Sequence, residues 1–144
     1  MNQEQSQMMG AFLWGKKADT KLLKSDLTEN QDSLLAECVW QNGNKHSRSF
    51  CFNKADKLVI EDDMAATTDS YATLVLHPAC QVKVENGKAV IQRGAIIVYI
   101  ETNIEPTIEK CWYSEEYGKE NETHKLCYPL NDNKLITTIW IEKY

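Results

Sequence analysis

The chain has 144 residues, 42% hydrophobic and 26% charged, an ordinary globular mix of a size that suits one domain. Lys and Arg total 16 against 21 Asp and Glu, a net charge of −5, which speaks against a nucleic-acid binder because phosphate contacts need a basic surface. No run reaches the roughly 18 apolar residues of a membrane span, and the N-terminal MNQEQSQMMG lacks the basic and apolar regions of a secretory signal.

The first ten residues are polar and are expected to be loose, with residues 11–144 forming a single domain. Residues 19–27 come nearest to a helical period and read better as a strand running into a turn. Residues 33–41 alternate, with Leu35, Glu37 and Val39 interleaved with Ala36, Cys38 and Trp40. The Asn42-Gly43 pair then predicts a tight hairpin. Residues 46–53 place His46, Arg48, Phe50 and Phe52 on one face and Ser47, Ser49 and Cys51 on the other. Residues 57–61 read as a short strand with Leu58 and Ile60 on one side. The acidic and small residues of 62–70 read as a loop.

Residues 71–77 are apolar and end at Pro78, which cannot donate to a ladder. Val82 and Val84 alternate with polar partners over 81–85, Asn86-Gly87 is a second hairpin signal, and 88–92 returns from it. Gly94 then precedes the run 95–101, whose apolar AIIVYI reads as a central strand buried on both faces. Residues 106–114, 123–128 and 134–142 supply three more strands, the last preceded by a turn at Asn131-Asp132-Asn133. Short strands at this spacing, with no sustained helical period, predict an all-β, antiparallel β-sandwich of about ten to twelve strands.

The five cysteines, Cys38, Cys51, Cys80, Cys111 and Cys127, form no CxxC pair, so a zinc ribbon or thioredoxin-like site is not suggested. Most lie in apolar or alternating runs and read as small buried hydrophobes. Free thiols lean toward a reducing compartment and leave bacterial periplasm or cytoplasm open. The histidines His46, His77 and His124 show no metal-ligand spacing, and no metal or cofactor is expected. Glu61, Asp62 and Asp63 read as turn formers and solvated charge, because a calcium loop needs more oxygen ligands at defined positions.

Two groups could contact a sugar. His46 and Arg48 are either the exposed end of a strand face or a polar pair that grips a hydroxyl or carboxylate, Arg being suited to bidentate contacts. Trp112, Tyr113 and Tyr117 crowd a segment that ends at Gly118. They form either a platform for sugar rings or a packed loop that seals the end of the sandwich. No nucleophile elbow, phosphate loop or Ser/His/Asp arrangement is present, so no catalytic residue is assigned.

The order of these pieces resembles the C-terminal β-sheet domain of the heparinase II/III-like polysaccharide lyases. The resemblance runs through Phe12-Leu13-Trp14-Gly15, the strand from Leu35 to Trp40, and His46-Ser47-Arg48-Ser49-Phe50. It continues through Leu58-Val59-Ile60-Glu61-Asp62, Val75-Leu76-His77-Pro78, Trp112-Tyr113-Ser114 with Tyr117-Gly118, and the closing strand from Leu135 to Ile141. Each piece is short, and their order over residues 11–142 carries the likeness.

That resemblance implies a parent enzyme in which an α/α toroid is joined to antiparallel β layers. Such an enzyme cleaves uronic-acid-containing polysaccharide by β-elimination. The family's catalytic Asn or His and Tyr come from the toroid, and a further His comes from early in the β region. A His-Asn-Thr motif precedes the stretch matched here, and none of these pieces maps onto this chain. The fragment alone is therefore expected to be inactive, with the upstream toroid and β layer, and acidic polysaccharide, as its partners. The other reading is a stand-alone carbohydrate- or protein-binding β-sandwich module without catalysis.

Overall fold

A computed structural model describes residues 6–10, 13–65, 70–130 and 133–142 of the chain. They contain no helix and thirteen strands. In chain order these are β1 (Ser6–Gly10), β2 (Leu13–Lys17), β3 (Asp19–Leu27), β4 (Gln31–Val39), β5 (Lys45–Asn53), β6 (Lys57–Ala65) and β7 (Tyr71–Val75). Then follow β8 (Gln81–Glu85), β9 (Lys88–Arg93), β10 (Ile96–Thr102), β11 (Thr107–Tyr113), β12 (Asn121–Pro129) and β13 (Lys134–Ile141). The all-β, antiparallel architecture is as expected from the alternation. The strands beyond the expected ten to twelve come from the N-terminal hairpin of β1 with β2, so the described part of the first ten residues is paired.

An eight-stranded sheet runs in the order β3-β4-β5-β6-β13-β10-β9-β8, and a three-stranded sheet runs β11-β12-β7. Local chemistry sets the hairpins. Asn86 and Gly87 both take positive φ, 52° and 76°, as a two-residue hairpin loop matched to the strand twist requires. At the β4–β5 turn, Trp40 and Asn44 close the loop, with the Trp40 N–H donating to the Asn44 carbonyl at 2.8 Å. Gly118 also takes a positive φ, 79°, consistent with the unusual turn expected there.

The core lies between the small sheet and one part of the large one. Leu126 and Tyr128 of β12 meet Leu135 of β13, Ile100 of β10, and Ala89 and Ile91 of β9, with Leu76 and Leu130 closing the cluster. Leu126 is completely buried. Within the small sheet, Thr123 of β12 donates its hydroxyl at 2.9 Å to the carbonyl of Leu76, the residue after β7. β10 is paired on both sides, by β9 and β13, which fits a central strand. Its burial is less than expected: Ile100 is buried, but Tyr99 is only half-buried on the outer face, where it stacks on Trp140 with centroids 5.4 Å apart.

No residue of β3, β4 or β5 belongs to this core cluster. These strands extend as a wing past the small sheet. Along β3 every residue is exposed, and Leu22, Leu27, Leu34 and Phe52 remain open to solvent. A bulge at Leu23 places it between the ladder positions of Leu22 and Lys24 and disrupts the alternation of β3.

Candidate functional site

The inner face of the wing carries the most connected polar cluster. The β4–β5 hairpin sets Cys38 opposite His46 and Ala36 opposite Arg48. β5 then pairs with β6 so that Arg48 stands opposite Asp62 and His46 opposite Met64. Directly opposed side chains on one sheet face lie close enough to interact. Here His46, Arg48 and Asp62 share that face, and they converge.

Residues 62–65 are therefore strand, and the loop expected from residue 62 onward is corrected. Acidic residues suggested a turn, but Leu58, Ile60, Asp62 and Met64 continue the period-two pattern and hold the ladder together. Asp62 is 4% exposed. Its Oδ1 accepts from Arg48 Nε at 2.6 Å and faces His46 Nε2 at 2.5 Å. The expectation that Asp62 is solvated charge is thus overturned. Burial alone pushes its carboxyl up, but the hydrogen bonds from His46 and Arg48, with the guanidinium charge, outweigh it and hold the group below its usual range.

His46 is fixed on its other side by Trp40, whose indole stacks on it at 18° with centroids 6.3 Å apart. The Arg48 guanidinium lies 6.0 Å from the centroid of the Phe50 ring. The two residues form a ridge between two depressions. One, of about 340 Å³, lies over the wing and is lined by Leu22, Ala36, Cys38 and Phe50. The other, of about 200 Å³, lies at the step where the small sheet begins. Trp40, Asp62, Met64, Tyr71, Ala72 and Leu130 line it together with His46 and Arg48.

The fold places the second expected group elsewhere. Trp112 and Tyr113 lie on β11, the strand of the small sheet farthest from β7, and Tyr117 follows in the turn beyond. Trp112 is 66% exposed and Tyr117 fully so. Tyr113 packs against His77 with ring centroids 5.4 Å apart. His77 in turn faces Glu115 through Nε2 at 2.8 Å and accepts the Ala79 N–H on Nδ1 at 3.0 Å. None of the three aromatics lines either depression. Asp62, Trp40 and Tyr71 are the site residues that sequence reasoning did not single out. The charge complement of Asp62 across the strand from a His-x-Arg pair is the signal that would have found the first.

Among the described residues no group of three or more His, Cys, Asp or Glu is arranged to hold a metal. All five cysteines are free thiols. Burial pushes the Cys38 and Cys127 thiols up, with Asp19 adding to the effect at Cys38 and Glu109 at Cys127.

With this geometry in hand, the chain can be set beside known proteins. The family model described as heparinase II/III-like, C-terminal, matches residues 1–141. The chain belongs to this family. Comparison with curated proteins finds no match. Among solved structures, heparan sulfate lyase HepC from Pedobacter heparinus superposes with a TM-score of 0.73 at 14% identity. The match covers 87% of this chain and 22% of that one. A structure of heparinase III gives 0.67 at 18% identity, covering 88% of this chain and again 22% of the other. At such identities the likeness concerns the fold. The chain spans about a fifth of the length of the structures it matches.

Proposed function

We propose that this chain is the C-terminal β-sandwich domain of a heparinase II/III-like lyase that cleaves uronic-acid-containing polysaccharide by β-elimination. The observation that carries the reading is the family match over residues 1–141, in a chain that spans only 22% of the matched enzymes. In the reaction, positive charge or hydrogen bonds neutralise the uronate carboxylate. A base then removes the proton α to it and an acid assists the leaving oxygen. The domain's own part is to support the β layer and to close one side of the substrate cleft. The upstream toroid and β layer supply the catalytic groups.

The wing of β3–β5 supports a role in docking. Leu22, Leu34 and Phe52 sit on a face that the small sheet leaves open. A surface of this kind marks an interaction site more often than a free one. The proposal makes the upstream β layer its cover.

The test compares the 144-residue chain with the longer chain encoded by its gene. Each is incubated with glucuronate-containing polysaccharide, and the ultraviolet absorbance of the unsaturated uronate product is followed. Product from the longer chain only is the expected result. A longer chain without lyase activity, or a gene that encodes nothing upstream of Met1, would sink the proposal.

A further inference from the structure

We infer that the cleft at the step between the two sheets, lined by Trp40, Arg48, Asp62 and Tyr71, binds the carboxylate of an acidic sugar. The inference concerns this chain's own binding and holds whether or not the parent is a lyase. It rests on how Arg48 is held. Its Nε is committed to Asp62, while its two Nη groups donate to no other described residue and its side chain is 42% exposed. A guanidinium fixed by one edge presents the remaining pair of N–H donors as a fork, which matches the two oxygens of a carboxylate.

The anchor is rigid. Asp62 is buried and shared by two donors, and its partner His46 is clamped between it and the Trp40 ring. Little side-chain entropy is then left to lose when a ligand arrives. Among the described residues, the titratable groups lining the cleft are His46, Arg48, Asp62 and Tyr71. Asp62, the carboxylate among them, is buried and meets both His46 and Arg48 through Oδ1, so its charge is offset by the Arg48 guanidinium.

Size and lining fit a sugar ring. The cleft holds about 200 Å³, roughly the space of six or seven waters. Met64, Ala72 and Leu130 give an apolar wall for ring C–H groups, and the exposed Tyr71 stands at the mouth. A pyranose has both an apolar face and polar edges, so it can use the wall and the fork together.

The probe is a glucuronate-containing oligosaccharide, titrated into the 144-residue chain by calorimetry. The same oligosaccharide with its carboxylates reduced to alcohols is the control. Saturable binding is expected for the acidic form, and binding about tenfold weaker or worse for the reduced form, the scale of one lost charge-assisted contact. Arg48→Lys keeps the charge but loses the fork and should weaken binding several-fold, and Arg48→Gln should weaken it further. Tyr71→Ala, at an exposed position, tests the mouth of the cleft without touching the Asp62 cluster. Thermal melting checks that each variant is folded, and if Arg48→Gln is not, Arg48→Lys and Tyr71→Ala decide. The inference is overturned if the wild-type chain does not bind the acidic probe. It is equally overturned if the reduced probe binds as well, or if the folded variants bind as tightly as the wild type.

Discussion

Asp62→Ala is the sharpest test of how the wing is held. Asp62 is 4% exposed and accepts two hydrogen bonds to one oxygen. Hydrogen bonds to charged groups contribute about 1.5–3 kcal/mol each. Two bonds that share an acceptor do not add in full. Arg48 is 42% exposed and His46 22%, so water takes over part of what the carboxylate gave them. The expected loss is therefore about 2–3 kcal/mol at neutral pH, below the value for a fully buried pair.

The same residue sets a pH dependence. Its folded-state pKa lies below its unfolded one. A depressed carboxyl contributes stability that is fully present above its unfolded value, about 4. That contribution fades as pH falls through the lower folded value, because the unfolded chain then binds the proton first. Urea unfolding of wild type and Asp62→Ala at pH 7, and at steps down to the lowest pH at which both fold, measures the effect. The gap between them should be widest at neutral pH and narrow in acid. A gap that stays constant across the range would refute the reasoning, as would a neutral-pH loss below about 0.5 kcal/mol, the usual scatter of surface changes.

The core and the thiols give further checks. The Tyr128 hydroxyl is buried without a hydrogen-bond partner, and burial pushes its pKa up to about 12. Tyr128→Phe removes the orphan and keeps the ring, so denaturant unfolding should show unchanged or higher stability, by up to about 1–2 kcal/mol. Leu126→Ala should instead cost about 2–5 kcal/mol, since the residue is completely buried and the site is closed by both sheets. Under native conditions Cys38 and Cys127 should react slowly with iodoacetamide, and mass spectrometry should find the half-buried Cys51, Cys80 and Cys111 modified first.

Most of the sandwich was legible because half-buried strands write their two faces into alternate positions. Leu135, Thr137, Ile139 and Ile141 against Ile136, Thr138 and Trp140 is such a record, and Asn86-Gly87 marks its hairpin by the backbone that only such residues adopt easily. The polar cluster was half legible. His46 and Arg48 stood out as two basic groups on an otherwise aromatic face. Their partner did not, because Asp62 and Asp63 together resemble a turn and hide the alternation that puts Asp62 on the face of Leu58 and Ile60. That Arg48 stands opposite Asp62 depends on the register of β5 on β6, a long-range property. Trp112, Tyr113 and Tyr117 show the opposite case. They are conspicuous neighbours in sequence, yet β11 and the turn after it carry them to the far edge of the small sheet, away from both depressions.

The unequal sizes of the two sheets connect these observations. Three strands cannot cover eight, so the core occupies the part of the large sheet built from β6, β13, β10, β9 and β8. At the step where cover ends, the inner face changes from dry to wet. A carboxylate placed one strand inside that boundary is buried. A guanidinium on the neighbouring strand reaches it and still touches solvent. Asp62 on β6 and Arg48 on β5 are placed in this way. The step thus creates a fixed, partly solvated cation at a concave site, an arrangement that neither a fully covered sandwich nor a bare sheet would provide. Beyond it, the open apolar residues of β3–β5 call for cover from another layer. The step separates what this domain supplies by itself from the face proposed to be completed by the rest of a longer chain.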